Sequence, residues 1–267
     1  KIILEDPHRE YETSTTQILN DQGQVWGFIK LVRDLTREAG LLKAKSEFVT
    51  IAAHQLRTPA TATNWTFENL AKDQSLSAES RELVMIGHKA AQNALKIIND
   101  LLNVVQMEEG RFGYQFQEVN LGDFLDKLLA EALPVAREYK VNVYFDRPQE
   151  SVIVNADPNR LGVAISNLVD NAIKYNVEGG QVTLKLEKKD NLVEVSIKDT
   201  GVGIAEEDIP KLFTKFFRGA NIQKAIPSGS GLGLYIVKNI IEEHRGKVWA
   251  ESVPSRGSTF YFTLPLK

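Results

Sequence analysis

Cysteine is absent from this 267-residue chain, which excludes disulfides, thiolate zinc sites and cysteine nucleophiles. A surplus of positive charge is also lacking. Lys and Arg number 32 against 35 Asp and Glu, for a net charge of −3, which argues against a nucleic-acid-binding surface. No apolar run approaches the roughly 20 residues that a membrane-spanning helix needs, so no membrane contact is expected from this segment. Neither a start methionine nor a signal peptide precedes Lys1-Ile2-Ile3. The chain therefore reads as a cytoplasmic piece of a longer protein, with membrane attachment upstream left open. The remaining composition is ordinary for a globular protein, 43% hydrophobic and 25% charged, and the length suits at least two domains.

Residues 11–19 and 25–32 alternate in character around Asn20-Asp21-Gln22-Gly23, which predicts a β-hairpin. Two strands are marginal alone, so further strands are expected within residues 1–10 or outside the chain. Helical periodicity follows over residues 37–70, with Pro59 expected to break or kink it. After a polar loop at 72–77, Leu83, Ile86, Ala90, Ala94, Ile97, Leu101 and Val104 recur at spacings of three and four. That seam suits a helical bundle. Two antiparallel helices cannot enclose a core, so a four-helix bundle made by two copies, a homodimer, is the expected solution. Gly110 is placed to stop the second helix.

From residue 114 onward strands and helices intermix. Helices are predicted over 121–139, from Asp157-Pro158 to about Tyr175, and over 232–244; strands over 141–146, 152–156, 182–188, 192–198, 247–252 and 258–264. The Asp157-Pro158 pair is an N-cap followed by proline at the first helical position. Without strict βαβ alternation, an α+β sandwich is favoured over a doubly wound sheet.

Candidate chemistry lies in four places. His54 sits on the first helix, followed one turn later by Thr58-Pro59; alone, an imidazole at helical spacing is more often structural than a nucleophile. On the helix after Pro158, Asn167, Asn171 and Lys174 share one face, either a solvated surface or amide ligands for Mg²⁺ with a cation for phosphate. Asp199-Thr200-Gly201-Val202-Gly203 follows a strand, where a held carboxylate can accept a hydrogen bond from an exocyclic amine and the glycines can admit a flat ring. Gly229-Ser230-Gly231-Leu232-Gly233-Leu234 opens a helix, where N–H groups suit phosphate. It is not a P-loop, since no Gly-Lys-Ser/Thr follows. Between the glycine segments, the aromatics of Phe213-Thr214-Lys215-Phe216-Phe217-Arg218 and the polar loop 219–228 suggest a lid over bound ligand, with core packing as the alternative.

In this order, the segments closely resemble a bacterial sensor histidine kinase over about residues 37–267. The resemblance implies an antiparallel helical hairpin forming a dimeric four-helix bundle, followed by an α+β sandwich of the Bergerat type. It implies three parts: 1–36, the end of a PAS-like sensor domain, whose close resembles Asp34-Leu35-Thr36; 37–112, the signalling helix with dimerisation and histidine phosphotransfer; and 113–267, catalytic ATP binding. His54 would accept phosphate from ATP and pass it to an aspartate of a response-regulator receiver domain. Asn171, assisted by Asn167, would hold Mg²⁺; Lys174 and Tyr175 would face phosphates and nucleotide. Asp199 would recognise the adenine amine, Gly201, Gly203, Gly229, Gly231 and Gly233 would shape the pocket beside Phe213 and Leu232, and Arg218 would meet the γ-phosphate. His8, His88 and His244 match no motif and read as surface or packing residues.

One residue departs from the family pattern. After the phospho-acceptor histidine the family usually carries Glu or Asp, and here the residue is Gln55. A glutamine can orient the ring but cannot take up its proton, so slow autophosphorylation is expected. Thr58, and Gln55 itself, are placed to orient a water for dephosphorylating a partner, which implies a bifunctional enzyme leaning towards phosphatase. Two other readings compete. One is a nucleotide-binding scaffold with little catalysis. The other is an ATPase related to gyrase and mismatch-repair enzymes, which carry a general-base glutamate where this chain has Asn167.

Overall fold

A computed structural model describes residues 2–5, 8–219 and 229–267. The chain divides into two compact units, residues 1–59 and 60–267. In the first, β1 (Ile2–Glu5), β2 (His8–Leu19) and β3 (Val25–Asp34) form an antiparallel sheet in the order β1-β2-β3. The expected hairpin is β2-β3. Its turn is held by the Asn20 side chain, whose Oδ1 accepts the N–H groups of Gln22 and Gln24 at 3.0 and 2.8 Å, and Gly23 supplies the positive φ of 76°. The side chain of His8 lies outside the described residues.

Helix α1 (Thr36–Ala71) spans the expected 37–70 stretch and runs through Pro59 without ending. Proline removes one backbone N–H from the helical ladder and clashes with the preceding turn, and the rest of a 36-residue helix carries it across. Helix α2 (Ala78–Glu108) begins at Ser77, whose side chain accepts the Ser80 N–H at 3.1 Å, and stops before Gly110 at φ 66°. Much of the expected apolar seam is open in the single chain. Leu83 and Ile86 are 69% and 60% exposed, whereas Val84, Ala91, Leu102 and Val105 are buried. In the upper turns the face that packs within the chain is rotated from the face that the spacing picks out, whereas lower down Val104 of the expected seam is buried with Leu101 beside it.

The region from β4 onward is a two-layer sandwich. Its sheet runs β5 (Asn142–Asp146), β7 (Gln181–Lys189), β8 (Leu192–Asp199), β10 (Gly257–Pro265), β9 (Val248–Val253). Only β5 and β7 pair in parallel. A separate pair joins β4 (Gln117–Asn120) to β6 (Ile153–Ala156). Helices α3 (Leu121–Glu138), α4 (Pro158–Lys174) and α5 (Gly233–Glu243) cover one face. Alternation decides that face: Val182, Leu184 and Leu186 of β7 and Val193, Val195 and Ile197 of β8 are buried, with their neighbours more exposed. Against them pack Leu161, Ile165 and Leu168 of α4, all at 0% exposure. Each such side chain contributes about 1.5–3 kcal/mol of burial. The exposed pairs Lys89–Glu138 and Lys140–Glu178 contribute at most about 1 kcal/mol each, so apolar packing sets this domain's stability. The strand β4 and a 3₁₀ helix, Glu206–Lys211, are additions to the elements expected from sequence.

The start of α4 is tied from several directions. Asp157 Oδ1 accepts the N–H groups of Asn159 and Arg160 at 2.9 and 3.0 Å, and Oδ2 accepts that of Gln115 at 2.7 Å. Burial alone would raise the pKa of this carboxyl, but the three N–H groups outweigh it and hold the group below its usual range. The Asp157 N–H donates to Nε2 of buried His244 at 3.0 Å, which leaves Nδ1 to donate to the Ile240 carbonyl at 2.7 Å. His244 is thus a neutral packing residue against Tyr114 and Phe116. Burial pushes its pKa below the ordinary value, against the opposing pull of Ile240 O and the Asp157 charge. The unfolded chain therefore takes up the proton first as pH falls, so His244 contributes stability above about pH 6.5 that is lost as the medium becomes acidic. Urea unfolding from pH 7.5 to 5 is expected to show a shallower loss of stability for His244→Gln than for wild type. Parallel profiles would contradict this role.

Candidate functional site

The residues around one cavity come from α2, α4, the end of β8, the segments beside the 3₁₀ helix, the start of α5 and β10. Helix α4 turns its apolar stripe to the sheet and so presents Asn167, Asn171 and Lys174 to this cavity. Asn167 is buried, and its Nδ2 donates to the Val163 carbonyl at 3.0 Å. The atom left for a ligand is its carbonyl oxygen, the kind of donor a hard cation takes. Lys174 is half-buried in the last turn. Desolvation lowers its pKa, and Lys96, Lys89 and Arg218 lower it further against the pull of Asp170. Tyr175, the residue after α4, lines the same cavity.

At the end of β8, both hydrogen bonds to Asp199 land on Oδ1, from the N–H groups of Gly201 at 2.8 Å and Ser258 at 3.1 Å. Among the described residues Oδ2 takes no such bond, so one oxygen is fixed and the other can serve a ligand. Burial raises this carboxyl's pKa against the effect of the two N–H donors. Thr200 pins the strand end, accepting the Gln181 N–H at 2.9 Å and donating to Asn176 Oδ1 at 3.1 Å. Gly201 is buried behind Asp199, where a Cβ would lie 2.1 Å from the Tyr175 carbonyl oxygen. The glycine requirement there comes from the protein's own backbone.

At the second glycine segment, Ser230 Oγ accepts the Leu232 N–H at 3.2 Å. Gly231 has φ +69°, and a Cβ there would lie 2.7 Å from the Phe216 carbonyl carbon. Arg218 reaches across, Nη1 donating to the Gly229 carbonyl at 3.3 Å. Of the residues expected from sequence, Asn167, Asn171, Lys174, Tyr175, Asp199, Gly203, Arg218, Gly229, Gly231 and Gly233 come together at the cavity. Gly201, Phe213 and Leu232 do not line it: Leu232 is 1% exposed and Phe213 packs against the core. Residues 220–228 of the expected lid lie outside the described residues. His54, Gln55 and Thr58 belong to the first unit, all exposed on α1.

Sequence reasoning missed the contribution of α2. Asn93, Lys96, Ile97 and Asp100 line the cavity. Lys96 Nζ meets Asp170 Oδ2 at 2.6 Å with both side chains about two-fifths exposed, an ion pair worth roughly 0–1 kcal/mol. Asp100 is 7% exposed, and its Oδ2 accepts the Ser230 hydroxyl at 3.0 Å. Burial pushes this carboxyl's pKa up, opposed by Ser230. The polar pair Asn99-Asp100 set between Ile97-Ile98 and Leu101-Leu102 was the available signal. Among the described residues no group of three or more His, Asp or Glu side chains is gathered as a metal cluster. No helix among them is long and apolar enough to cross a membrane.

Comparison with known proteins matches residues 156–267 to the histidine kinase-, DNA gyrase B- and HSP90-like ATPase family and residues 44–110 to the His Kinase A (phospho-acceptor) domain. The catalytic domain of the histidine kinase ThkA is 32% identical, with 57% of this chain aligned to 95% of that one and a TM-score of 0.50. This chain belongs to the sensor histidine kinases. The kinase is also 28% identical over 253 residues to sensor histidine kinase WalK of Bacillus subtilis (strain 168), matching 94% of this chain and 41% of the relative. To WalK of Staphylococcus aureus it is 28% identical over 254 residues, 93% of this chain and 60% of the relative. It therefore spans less than two thirds of those relatives. Full-length ShkA in complex with AMPPNP superimposes with a TM-score of 0.65 at 25% identity, over 82% of this chain and 46% of that one. ThkA in complex with the response regulator TrrA shares the fold, with a TM-score of 0.59 and 24% identity over 97% of this chain and 75% of that one.

Because Gly231 combines left-handed backbone with a close approach to Phe216, Gly231→Ala is expected to cost this histidine kinase about 1–3 kcal/mol. Urea unfolding measures this, and an unchanged midpoint would contradict the packing described.

Proposed function

We propose that this kinase phosphorylates His54 from Mg-ATP as a homodimer and passes the phosphoryl group to an aspartate of a response-regulator receiver domain, and that it also dephosphorylates that partner. The proposed division is a PAS-like sensor end at 1–36, dimerisation and phosphotransfer at 37–112, and catalysis at 113–267, all cytoplasmic. The observation that carries this reading is the convergence of Asn167, Asn171, Lys174, Asp199 and the glycine segment before α5 on one cavity. Further support comes from the exposed positions of His54 and Thr58 on α1 and from the open Leu83–Ile86 side of α2, which suits a second copy. The nucleotide of ShkA and the response regulator of ThkA are carried to this kinase as part of the proposal.

The roles follow from the donors present. Asp199 Oδ2 accepts from the adenine amine, while Oδ1 stays locked to the backbone. Asn171 and Asn167 offer amide oxygens to Mg²⁺, whose chemistry is to neutralise phosphate charge. Lys174 and Arg218 add positive charge at the same end, and the N–H groups opening α5 donate hydrogen bonds to phosphate oxygens. Tyr175 closes the cavity beside Lys174. Asn167 cannot act as a general base, which disfavours an ATP hydrolase of the gyrase type. His54 attacks through a neutral ring nitrogen, and Gln55 orients the ring without accepting its proton. Thr58, one turn on, holds water for the reverse task. Gln55 also favours a second reading, a nucleotide-binding scaffold with weak autokinase.

Acid-labile, base-stable phosphate on His54 after incubation with labelled Mg-ATP is the expected result, and its complete absence would favour the scaffold. Gln55→Glu should raise the labelling rate by about tenfold or more; no gain would remove Gln55 as the limit on the kinase. Thr58→Ala should slow dephosphorylation of a phosphorylated receiver while leaving His54 labelling. Nucleotide phosphates should raise the depressed Lys174 pKa, so binding at alkaline pH takes up protons. Calorimetry in buffers of different ionisation enthalpy reads this uptake, which should vanish in Lys174→Met.

A further inference from the structure

The positive pole at the start of α5 already faces a negative charge. Ser230 Oγ accepts the Leu232 N–H at 3.2 Å and donates to Asp100 Oδ2 at 3.0 Å, so a carboxylate from α2 is joined through one hydroxyl to the backbone that suits phosphate. Asp100 lies at this end of the cavity and not at the Asp199 end, for the charges acting on it are those of Lys96, Asp170 and Lys174. It is nine-tenths buried, where a like charge is poorly screened. Apolar packing of Val104, with Leu101 and Met107 beside it, also holds α2 to the catalytic core, and so do the ion pairs Lys96 with Asp170 and Glu108 with Lys215. The two ion pairs are exposed enough to yield.

We propose that Asp100 is a specificity-determining residue of the nucleotide pocket: its carboxylate stands in for phosphate at the Ser230 segment, so the pocket discriminates against ligands in proportion to their phosphate charge until α2 withdraws. The proposal rests on the nucleotide reading of the cavity. Adenosine, which carries no phosphate, should not sense Asp100. A diphosphate should sense it, and a triphosphate most. Entry of the triphosphate thereby favours release of the phosphotransfer helix from the catalytic domain, since the two negative groups compete for the same Ser230 hydroxyl and the same helix start.

The test is calorimetric titration of the whole chain with adenosine, Mg-ADP and the Mg complex of a non-hydrolysable ATP analogue, for wild type and Asp100→Asn. Asparagine keeps the size and can still accept from Ser230, and it removes only the charge. Adenosine affinity is expected to stay within about twofold, Mg-ADP to tighten by a few-fold and the triphosphate analogue by about tenfold, the scale of one poorly screened charge contact. An equal change for all three ligands would reveal a merely structural role and overturn the proposal, as would unchanged or weaker binding of the triphosphate. Adenosine binding without any gain for the analogue overturns the role of Asp100 and leaves the nucleotide pocket standing. Failure of both proteins to bind any of the three overturns the pocket reading and this proposal with it.

Discussion

The carboxylate of Asp157 holds the catalytic region together at its most consequential joint. It binds the first two free N–H groups of α4 and the Gln115 N–H, and its own N–H is taken by His244 at the end of α5. Three pieces of chain are fixed by one residue. Because α4 starts at a defined residue and its apolar stripe is locked to the sheet, the rotation of the helix is determined, and with it the face that Asn167, Asn171 and Lys174 present. A helix slipped by one residue would rotate these side chains by about 100° and bury them against β7 and β8.

The cavity is polar at both ends for different reasons. At Asp199 the backbone saturates one oxygen and leaves the other, so recognition is directional and a single group decides it. At the far end Lys174, Lys96 and Arg218 gather with Asp170 and Asp100. Selectivity there depends on net charge more than on any one bond. Positive charges that lower one another's affinity for protons are well suited to a phosphorylated ligand, which relieves that repulsion.

Helix α2 belongs to two parts of the molecule. Its open Leu83–Ile86 side suits a bundle, and its lower turns contribute Lys96, Asp100 and Glu108 to contacts with the catalytic region. An apolar seam and a set of charged contacts on one helix allow one to persist while the other breaks, because their strengths differ. Buried apolar area is insensitive to nucleotide charge, and half-exposed ion pairs are weak.

By itself the sequence determined the elements whose signals are local. Asn20 to Gly23 could only be a turn, Asp157-Pro158 a helix start, Gly110 a helix end, and the alternation in 182–188 and 192–198 a half-buried hairpin. The order of His54, the Asn167-Asn171-Lys174 face, Asp199 and the glycine segments pointed to the family, since residue type and spacing along one chain are enough for that. Leu232 and Gly201 were legible as part of a motif but not as packing residues, since a motif does not reveal which of its members face inward, whereas core packing was the open alternative for Phe213. The tertiary structure alone decided that α2 lines the cavity and that Asp100 meets Ser230, 130 positions further on. No periodicity predicts such a contact, since it is set by how α2 packs on the catalytic region and not by spacing along either segment.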